Sequence, residues 1–147
     1  ILMENNMFTE KMIAPCGLDC SICWKAHDPA GACPGCLAET TEGKSPFCAT
    51  KCKIIRCEKL LTNGWRFCDE CPDFPCEDCE ERETRYMNNY PRKESPYGNI
   101  RAVRERGMDA FLKAERAEWT CEKCGGVVSV HTGTCTSCGP QIVPKIL

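Results

Sequence analysis

Residues 121–139 read CEKCGGVVSVHTGTCTSCG, in which two CxxC pairs, each followed by glycine, are separated by ten residues. A CxxC turn presents two sulfurs side by side, and two such turns supply the four thiolates that a tetrahedral Zn²⁺ binds at about 2.3 Å. The glycine after each second cysteine, Gly125 or Gly139, allows the left-handed backbone that closes the turn. Between the turns, VVSVH alternates as a strand does and TGT is typical of a reversal. The segment predicts one metal site formed by Cys121, Cys124, Cys135 and Cys138.

The other twelve cysteines also fall into close groups. Cysteines two to four residues apart suit a soft metal ion, and sixteen thiolates are enough for four tetrahedral Cys₄ sites. We therefore predict about four Zn²⁺ ions, with an iron–sulfur cluster as the alternative because thiolate sites also accept iron. The predicted ligands before residue 121 are Cys16, Cys20, Cys23, Cys33, Cys36, Cys48, Cys52, Cys57, Cys68, Cys71, Cys76 and Cys79.

A secreted scaffold of disulfides is the main competing interpretation of so many cysteines. Residues 1–15, ILMENNMFTEKMIAP, show neither the basic start nor the apolar stretch of a signal peptide. Uninterrupted apolar runs elsewhere are only a few residues long, so we expect no membrane span and no membrane partner. We therefore predict a cytoplasmic protein whose paired cysteines bind metal.

The apolar residues are too few for an ordinary hydrophobic core. Leu, Ile, Val and Phe together number 25 of 147 residues, below the roughly 20% that globular chains need. A structural zinc contributes about 10–16 kcal/mol of apparent binding free energy, which becomes folding free energy because the unfolded chain lacks the site. Four such sites exceed the net stability of a typical domain, about 5–15 kcal/mol. Metal binding should therefore decide whether this chain folds.

Cysteine content divides the chain into three predicted parts. Residues 12–80 hold twelve cysteines, residues 81–118 hold none, and residues 119–140 hold the last four. We predict, in that order, a Cys-rich multi-zinc domain, a helical connector and a zinc ribbon. The predicted fold class is a small, irregular, metal-stabilised α-rich domain plus a short β zinc ribbon, an α+β arrangement with little regular core.

A helix is predicted to carry the first three cysteines. Cys16, Cys20 and Cys23 stand at i, i+4 and i+7, so a helix that begins near Pro15 would place all three on one face. A proline is well tolerated in the first turn of a helix because its missing N–H is not needed there. This helix would hold the three sulfurs toward one metal site.

Two further helical segments have clearer ends. Ser45-Pro46 is typical of a helix start and Asn63-Gly64 of a helix end, and they enclose Cys48 and Cys52 at i and i+4. In the connector, Gly107 is predicted to separate two short helices. The second of these would begin near Asp109 and lead to Trp119.

The spacing leaves the division of cysteines between ions partly open. The compact run from Cys68 to Cys79 can wrap one ion, although Cys79 can also be spare and an earlier cysteine take its place. For the remaining eight, the favoured division gives one ion Cys20, Cys23, Cys33 and Cys36, and another Cys16, Cys48, Cys52 and Cys57. Exchanging Cys16 for Cys20 fits the spacing nearly as well.

Candidates for acid–base catalysis are few. The two histidines, His27 and His131, both lie near metal modules. We expect a structural role for His131, and His27 is an alternative ligand in place of a cysteine. The sequence shows no Ser/His/Asp set, no paired carboxylates in an apolar setting and no glycine-rich phosphate loop. We therefore predict no catalytic residues, no small-molecule substrate and no enzymatic activity.

Four motifs follow one another in the first part: IAPCGLDCSIC from Ile13, CPGC from Cys33, CKIIRC from Cys52 and CDECPDFPC from Cys68. In this order they resemble a family of small cysteine-rich prokaryotic proteins that is catalogued as a domain of unknown function and presumed to bind zinc. The resemblance covers about residues 12–80, and WTCEKCGGVVSVHTGTC is similar to a ribbon that some longer members append. It implies zinc ligation and a cytosolic location, and it implies no reaction.

The leading functional hypothesis is a structural-zinc protein that acts as a non-catalytic interaction module, with another protein as its partner. The predicted binding surface is the connector, where nine basic and seven acidic side chains should form a solvated face. Residues expected to be exposed on this surface are Tyr86, Tyr90, Arg101 and Arg104. A metal- or redox-active protein is the first alternative, serving in metal transfer, iron–sulfur carriage or thiol sensing. RNA binding is the second, although the net charge of −2 does not favour a nucleic-acid partner.

Overall fold

A computed structural model of the protein describes residues 7–40 and 42–140, and the regular structure in this part is helical. Thr41 and residues 1–6 and 141–147 lie outside the described residues. Residues 1–6 are the first part of the segment that shows no signal-peptide features. Of the described helices, none is both long and apolar enough to cross a membrane. The α-helices are α1 (Pro46–Thr50), α2 (Glu58–Asn63), α3 (Glu77–Asn88), α4 (Pro96–Arg106) and α5 (Met108–Trp119).

The predicted helix over Cys16–Cys23 is wrong. Gly17 adopts a φ of 97°, a left-handed conformation that turns the chain so that the Ala14 N–H donates to the Leu18 carbonyl at 2.9 Å. A Cβ at Gly17 would lie 2.1 Å from the Pro96 carbonyl oxygen, so α4 packs on a position that only glycine can occupy. The chain then continues as the short 3-10 helix Cys20–Ile22.

The predicted ends of the next helical segment are confirmed, but the segment is interrupted. The Ser45 hydroxyl accepts from the Cys48 N–H at 3.3 Å, which caps α1, and Gly64 ends α2 with a φ of 64°. Between the two helices, the Phe47 carbonyl accepts from the N–H groups of both Lys51 and Cys52. This closure ends α1, so the chain turns before α2 begins at Glu58.

The connector is divided as expected, with Gly107 between α4 and α5 at a φ of 92°. Its charged side chains, however, do not all form a solvated face. Arg82, Arg85, Glu94 and Glu115 are buried. The solvated-face prediction is therefore wrong at these positions, because α3 buries Arg82 and Arg85, α5 buries Glu115, and the segment between α3 and α4 buries Glu94. Helix α3, which sequence reasoning missed, begins at Glu77 and thus carries Cys79 in its first turn.

In the part of the chain that the structure describes, the buried apolar residues form three small clusters rather than a single large core. The first is rich in thiols: four of its eight buried members are cysteines, namely Cys16, Cys20, Cys52 and Cys79. The second surrounds Trp119, and the third joins Ile13 and Phe67 to Ile100 of α4 and Phe111 of α5. This composition agrees with the low count of large aliphatic residues in the sequence.

The Trp119 cluster joins three distant parts of the chain. Trp119, at the end of α5, is 0% exposed and packs with Phe8, Ile22 and Tyr86. Val127 and Val130 of the C-terminal segment complete the cluster, and the Val130 N–H donates to the Ile22 carbonyl at 2.9 Å. The C-terminal cysteine segment is therefore docked on the helical part by apolar contact.

Three carboxyl groups are buried together, an arrangement that the sequence did not show. Asp19, Glu94 and Glu115 come from separate parts of the chain, and the Glu115 carboxyl interacts with both of the others. The Ser21 N–H donates to Asp19 Oδ1 at 2.9 Å. Burial raises the pKa of Glu94 to about 7 and also raises the pKa of Glu115, so both carboxyl groups favour their neutral forms.

Candidate metal centres

The four C-terminal cysteines form a compact group. The sulfurs of Cys121, Cys124, Cys135 and Cys138 all lie within 4.8 Å of one another. Cys121 Sγ is 3.7 Å from Cys138 Sγ, and Cys124 Sγ is 3.5 Å from Cys135 Sγ. A tetrahedral ion with bonds of about 2.3 Å requires sulfur separations of about 3.8 Å. The predicted group is thus brought together, and its geometry can hold one metal ion.

The backbone around these cysteines forms two antiparallel bridges. Thr120 pairs with Val127 and Val128 pairs with Cys135, but both are isolated bridges, so the predicted VVSVH strand is not confirmed. Gly125 has the expected left-handed conformation, with a φ of 79°. Gly139 does not have a positive φ; a Cβ there would lie 2.6 Å from the Cys135 carbonyl oxygen, so this glycine permits close backbone approach.

Backbone amides point toward the sulfurs of this group. The Gly126 N–H donates to Cys124 Sγ at 3.3 Å, and the Ser137 N–H donates to Cys135 Sγ at 3.3 Å. Hydrogen bonds from the N–H groups of Cys124 and Lys123 lower the pKa of Cys121 to about 7. Such donors stabilise thiolate, which is the form that binds metal.

Both histidines form hydrogen bonds with the protein. His131 Nδ1 accepts from the Trp24 N–H at 3.4 Å, and its Nε2 lies 3.0 Å from the Tyr86 hydroxyl. Burial lowers the pKa of His131 to about 4, so the ring is neutral and Nε2–H is the donor to Tyr86. His27 Nε2 lies 2.7 Å from the Ser21 carbonyl oxygen and donates to it.

Seven of the N-terminal cysteines surround one internal cavity of about 50 Å³. Four of them come from the first loops, Cys16, Cys20, Cys23 and Cys33, and three follow, Cys36, Cys48 and Cys52. Cys20 Sγ lies 3.3 Å from Cys36 Sγ, and Cys36 is also in contact with Cys48. Among the described residues, no three of these sulfurs lie mutually within 4.8 Å, in contrast to the C-terminal group.

Two arginines of α3 lie on the same cavity, and sequence reasoning missed them. Arg82 is 6% exposed, and its Nη2 donates to Cys52 Sγ at 3.2 Å. Its guanidinium also lies 4.6 Å from the centre of the Phe47 ring, and Arg85 stacks on the same ring at 5.2 Å. Helical spacing could have indicated that Arg82 lies near the cysteines, because it follows Cys79 by three residues and so shares its face of α3.

The remaining cysteines lie at the junction of the loops with α2 and α3. Cys79 contacts both Cys68 and Cys76, and its pKa is raised, first by the hydrogen bond with Cys68 and then by burial. Cys71 Sγ accepts from the Asp73 N–H at 3.4 Å. Cys57 precedes α2 as its cap residue and does not line the seven-cysteine cavity.

The predicted interaction surface on the connector is only partly exposed. Tyr86 is 5% exposed, so the prediction that it faces solvent is wrong; it packs instead in the Trp119 cluster. Tyr90 is half-buried against His131, with ring centroids 4.7 Å apart. Arg104 pairs with Asp69 at 2.7 Å, while Arg101 is exposed.

An apolar cleft of about 440 Å³ lies on the surface beside α2. Within the described part of the chain, the exposed large hydrophobic side chains are Leu37 at 41% and Leu61 at 65%, and both line this cleft. Trp65 lies beside them, as do Lys44 and Arg56, whose side chains donate to backbone carbonyl oxygens. Neither cation forms an ion pair with a carboxylate among the residues the structure describes.

Comparisons of the chain with protein-family models, with curated proteins and with solved structures gave no match.

Proposed function

We propose that this protein is a zinc-stabilised, non-catalytic module that binds another protein. The observation that carries the metal assignment is the four-sulfur group of Cys121, Cys124, Cys135 and Cys138, whose separations suit one tetrahedral ion. The antiparallel bridges around it are consistent with a zinc ribbon. The further twelve cysteines bind the remaining ions of about four in total, and the protein belongs to the zinc-binding family that its N-terminal motifs resemble.

A reducing, cytoplasmic environment fits this proposal. All sixteen cysteines are free thiols, and seven of them line one cavity, in which Cys20 Sγ lies 3.3 Å from Cys36 Sγ. Zinc is favoured over an iron–sulfur cluster at the C-terminal group because its four sulfurs surround a space that suits one ion. An iron-containing protein would be brown, and a zinc protein colourless.

The C-terminal site is tested by replacing one exposed ligand. Cys138→Ser should lower the zinc content of anaerobically purified protein by one equivalent, because Cys138 is exposed and the substitution disturbs little besides the site. Zinc is measured by elemental analysis. Ser137→Ala, at the exposed neighbouring position, is the matched control and should retain all the metal. Unchanged zinc in the Cys138 variant would contradict the assignment.

Protein binding is assigned to the cleft that contains Leu37 and Leu61. The cleft holds solvated leucines and more cations than carboxylates, since Lys44, Arg56 and Arg66 line it together with Glu39. This lining complements a partner segment that is apolar on one side and acidic on the other. Lys44 and Arg56 donate to backbone carbonyl oxygens and form no ion pair with described carboxylates, so no described carboxylate neutralises their charge. We therefore propose an acidic amphipathic helix of another protein as the occupant.

A designed peptide tests this assignment. A helical peptide with leucines at i, i+3, i+4 and i+7 and glutamates elsewhere should bind the native protein in calorimetric titration. Leu61→Asp should weaken binding at least tenfold, because it places charge in the apolar floor and opposes the glutamates. Ala110→Asp adds the same charge at an exposed position on α5 and should have no effect. Equal binding of a lysine version of the peptide would contradict the proposed occupant.

RNA binding is less well supported by the structure. Much of the positive charge of the connector is already engaged: Arg82 and Arg85 are buried, and Arg104 pairs with Asp69. Arg92 stacks over Trp119, with its guanidinium 4.0 Å from the ring centre. Nucleic-acid binding depends on free cations that reach phosphates, so these contacts favour the protein partner.

A further inference from the structure

The cavity of the Cys-rich part has more thiols around it than one ion can use. Seven cysteines line it, whereas a tetrahedral ion takes four thiolates and two separate ions would take eight. Seven is the number required by two tetrahedral ions that share one thiolate. We propose that this cavity is a binuclear metal–thiolate centre in which the Cys36 sulfur bridges two divalent ions. This inference rests on the proposed zinc-binding function and specifies how that zinc is held.

Contacts between the sulfurs identify Cys36 as the bridge. Cys36 lies 3.3 Å from Cys20 and is also in contact with Cys48. The three sulfurs do not form a group within 4.8 Å, so the sulfurs of Cys20 and Cys48 each contact Cys36 without approaching one another as closely. A thiolate placed between two others can bind one ion with the first and a second ion with the other.

Two tetrahedral ions that share no thiolate would need eight ligands. No described side chain on the cavity offers the eighth. His131 lines it, but Trp24 N–H and the Tyr86 hydroxyl occupy both ring nitrogens. Cys57, which the spacing assigned to this region, is not among the lining residues. One shared thiolate therefore completes both coordination spheres.

Charge and volume agree with two ions. The negative charge of seven thiolates exceeds the positive charge of two divalent ions, so the centre carries a net negative charge. The buried guanidinium of Arg82 meets that excess directly at Cys52 Sγ, at 3.2 Å, and Arg85 lies on the same cavity. The cavity measures about 50 Å³, while one water-sized sphere requires only about 10–15 Å³. There is room for more than one ion.

Cadmium NMR tests the bridge on the native full-length chain. Protein loaded with ¹¹³Cd²⁺ should give two resonances that split each other, because a shared thiolate transmits scalar coupling between the two nuclei. The ¹¹³Cd²⁺ bound by the C-terminal group shares no ligand and should give a singlet. If every resonance is a singlet, the ions share no thiolate and the binuclear centre is wrong, while the zinc-binding proposal stands. If the chain binds no Cd²⁺ or Zn²⁺, both proposals fail.

Two serine variants provide a second test through metal content. Cys36→Ser should remove the mutual splitting and lower the zinc content by two equivalents, because both ions lose the same ligand. Cys57→Ser should retain the splitting, because Cys57 lies outside the cavity and any ion that it holds is separate from this centre. If Cys36→Ser instead lowers the zinc content by only one equivalent, the cysteines form separate mononuclear sites and the bridge is excluded.

Discussion

Removal of metal should unfold most of this protein at neutral pH. A strong zinc chelator, added under anaerobic reducing conditions, is expected to abolish most of the helical circular dichroism and the dispersion of the NMR spectrum. This result is expected because each structural zinc contributes about 10–16 kcal/mol of apparent binding free energy, whereas the net free energy of unfolding of a typical domain is about 5–15 kcal/mol. The cluster that holds Cys16, Cys20, Cys52 and Cys79 has few aliphatic side chains to replace that contribution.

The control for this experiment is the same chelator saturated with Zn²⁺ beforehand. It should leave the spectra unchanged, and returning Zn²⁺ to the stripped protein should restore them. A stripped protein that keeps its full helical signal and a cooperative thermal transition would show that the three apolar clusters suffice for folding.

Trp119→Ala should lower the free energy of unfolding of the zinc-loaded protein by about 3–5 kcal/mol. Trp119 is 0% exposed and holds α5, the C-terminal cysteine segment and Ile22 in one cluster. Its Nε1 has no hydrogen-bond partner among the described residues, so the loss comes from packing and from the stacking contact with the Arg92 guanidinium. Chemical denaturation at saturating zinc measures the effect.

Leu61→Ala is the matched comparison for the tryptophan variant. Leu61 is 65% exposed, and truncating a side chain so accessible to water should change stability by no more than about 0.5 kcal/mol. Equal losses in the two variants would mean that the Trp119 cluster does not connect the C-terminal segment to the helices.

Features determined over short stretches of chain could be predicted from the sequence. The C-terminal ligand group was found because its four cysteines lie close together and two CxxC turns bring their sulfurs into one volume. The start of α1 at Ser45 and the break at Gly107 depend on local capping and backbone conformation, which are visible in a few residues. Such signals act within one turn of structure.

Features that depend on distant contacts could not be predicted. The spacing of Cys16 and Cys20 fits a helix, but Gly17 turns the chain because the Pro96 carbonyl of α4 packs against it. Likewise, helical spacing can place Arg82 on the same face of α3 as Cys79, but it does not predict the contact of its side chain with Cys52, 30 residues earlier in the chain. Tyr86 looked like a surface residue because its partners, among them His131 and Val130, come from the far end of the chain.

The buried Glu94 carboxyl takes up a proton when the chain folds at a pH between 4.5 and about 7. The unfolded chain releases the proton of Glu94 around its ordinary pKa of 4.5, whereas the folded protein holds that proton up to about pH 7. The stability that this group contributes is therefore complete below pH 4.5 and is lost as the pH rises toward 7. Thiolate–metal bonds have the opposite dependence, because binding Zn²⁺ releases thiol protons and strengthens with rising pH. The protein thus couples two opposed proton equilibria. The folded state is most stable in the pH range where metal has displaced the thiol protons and the Glu94 carboxyl is still protonated.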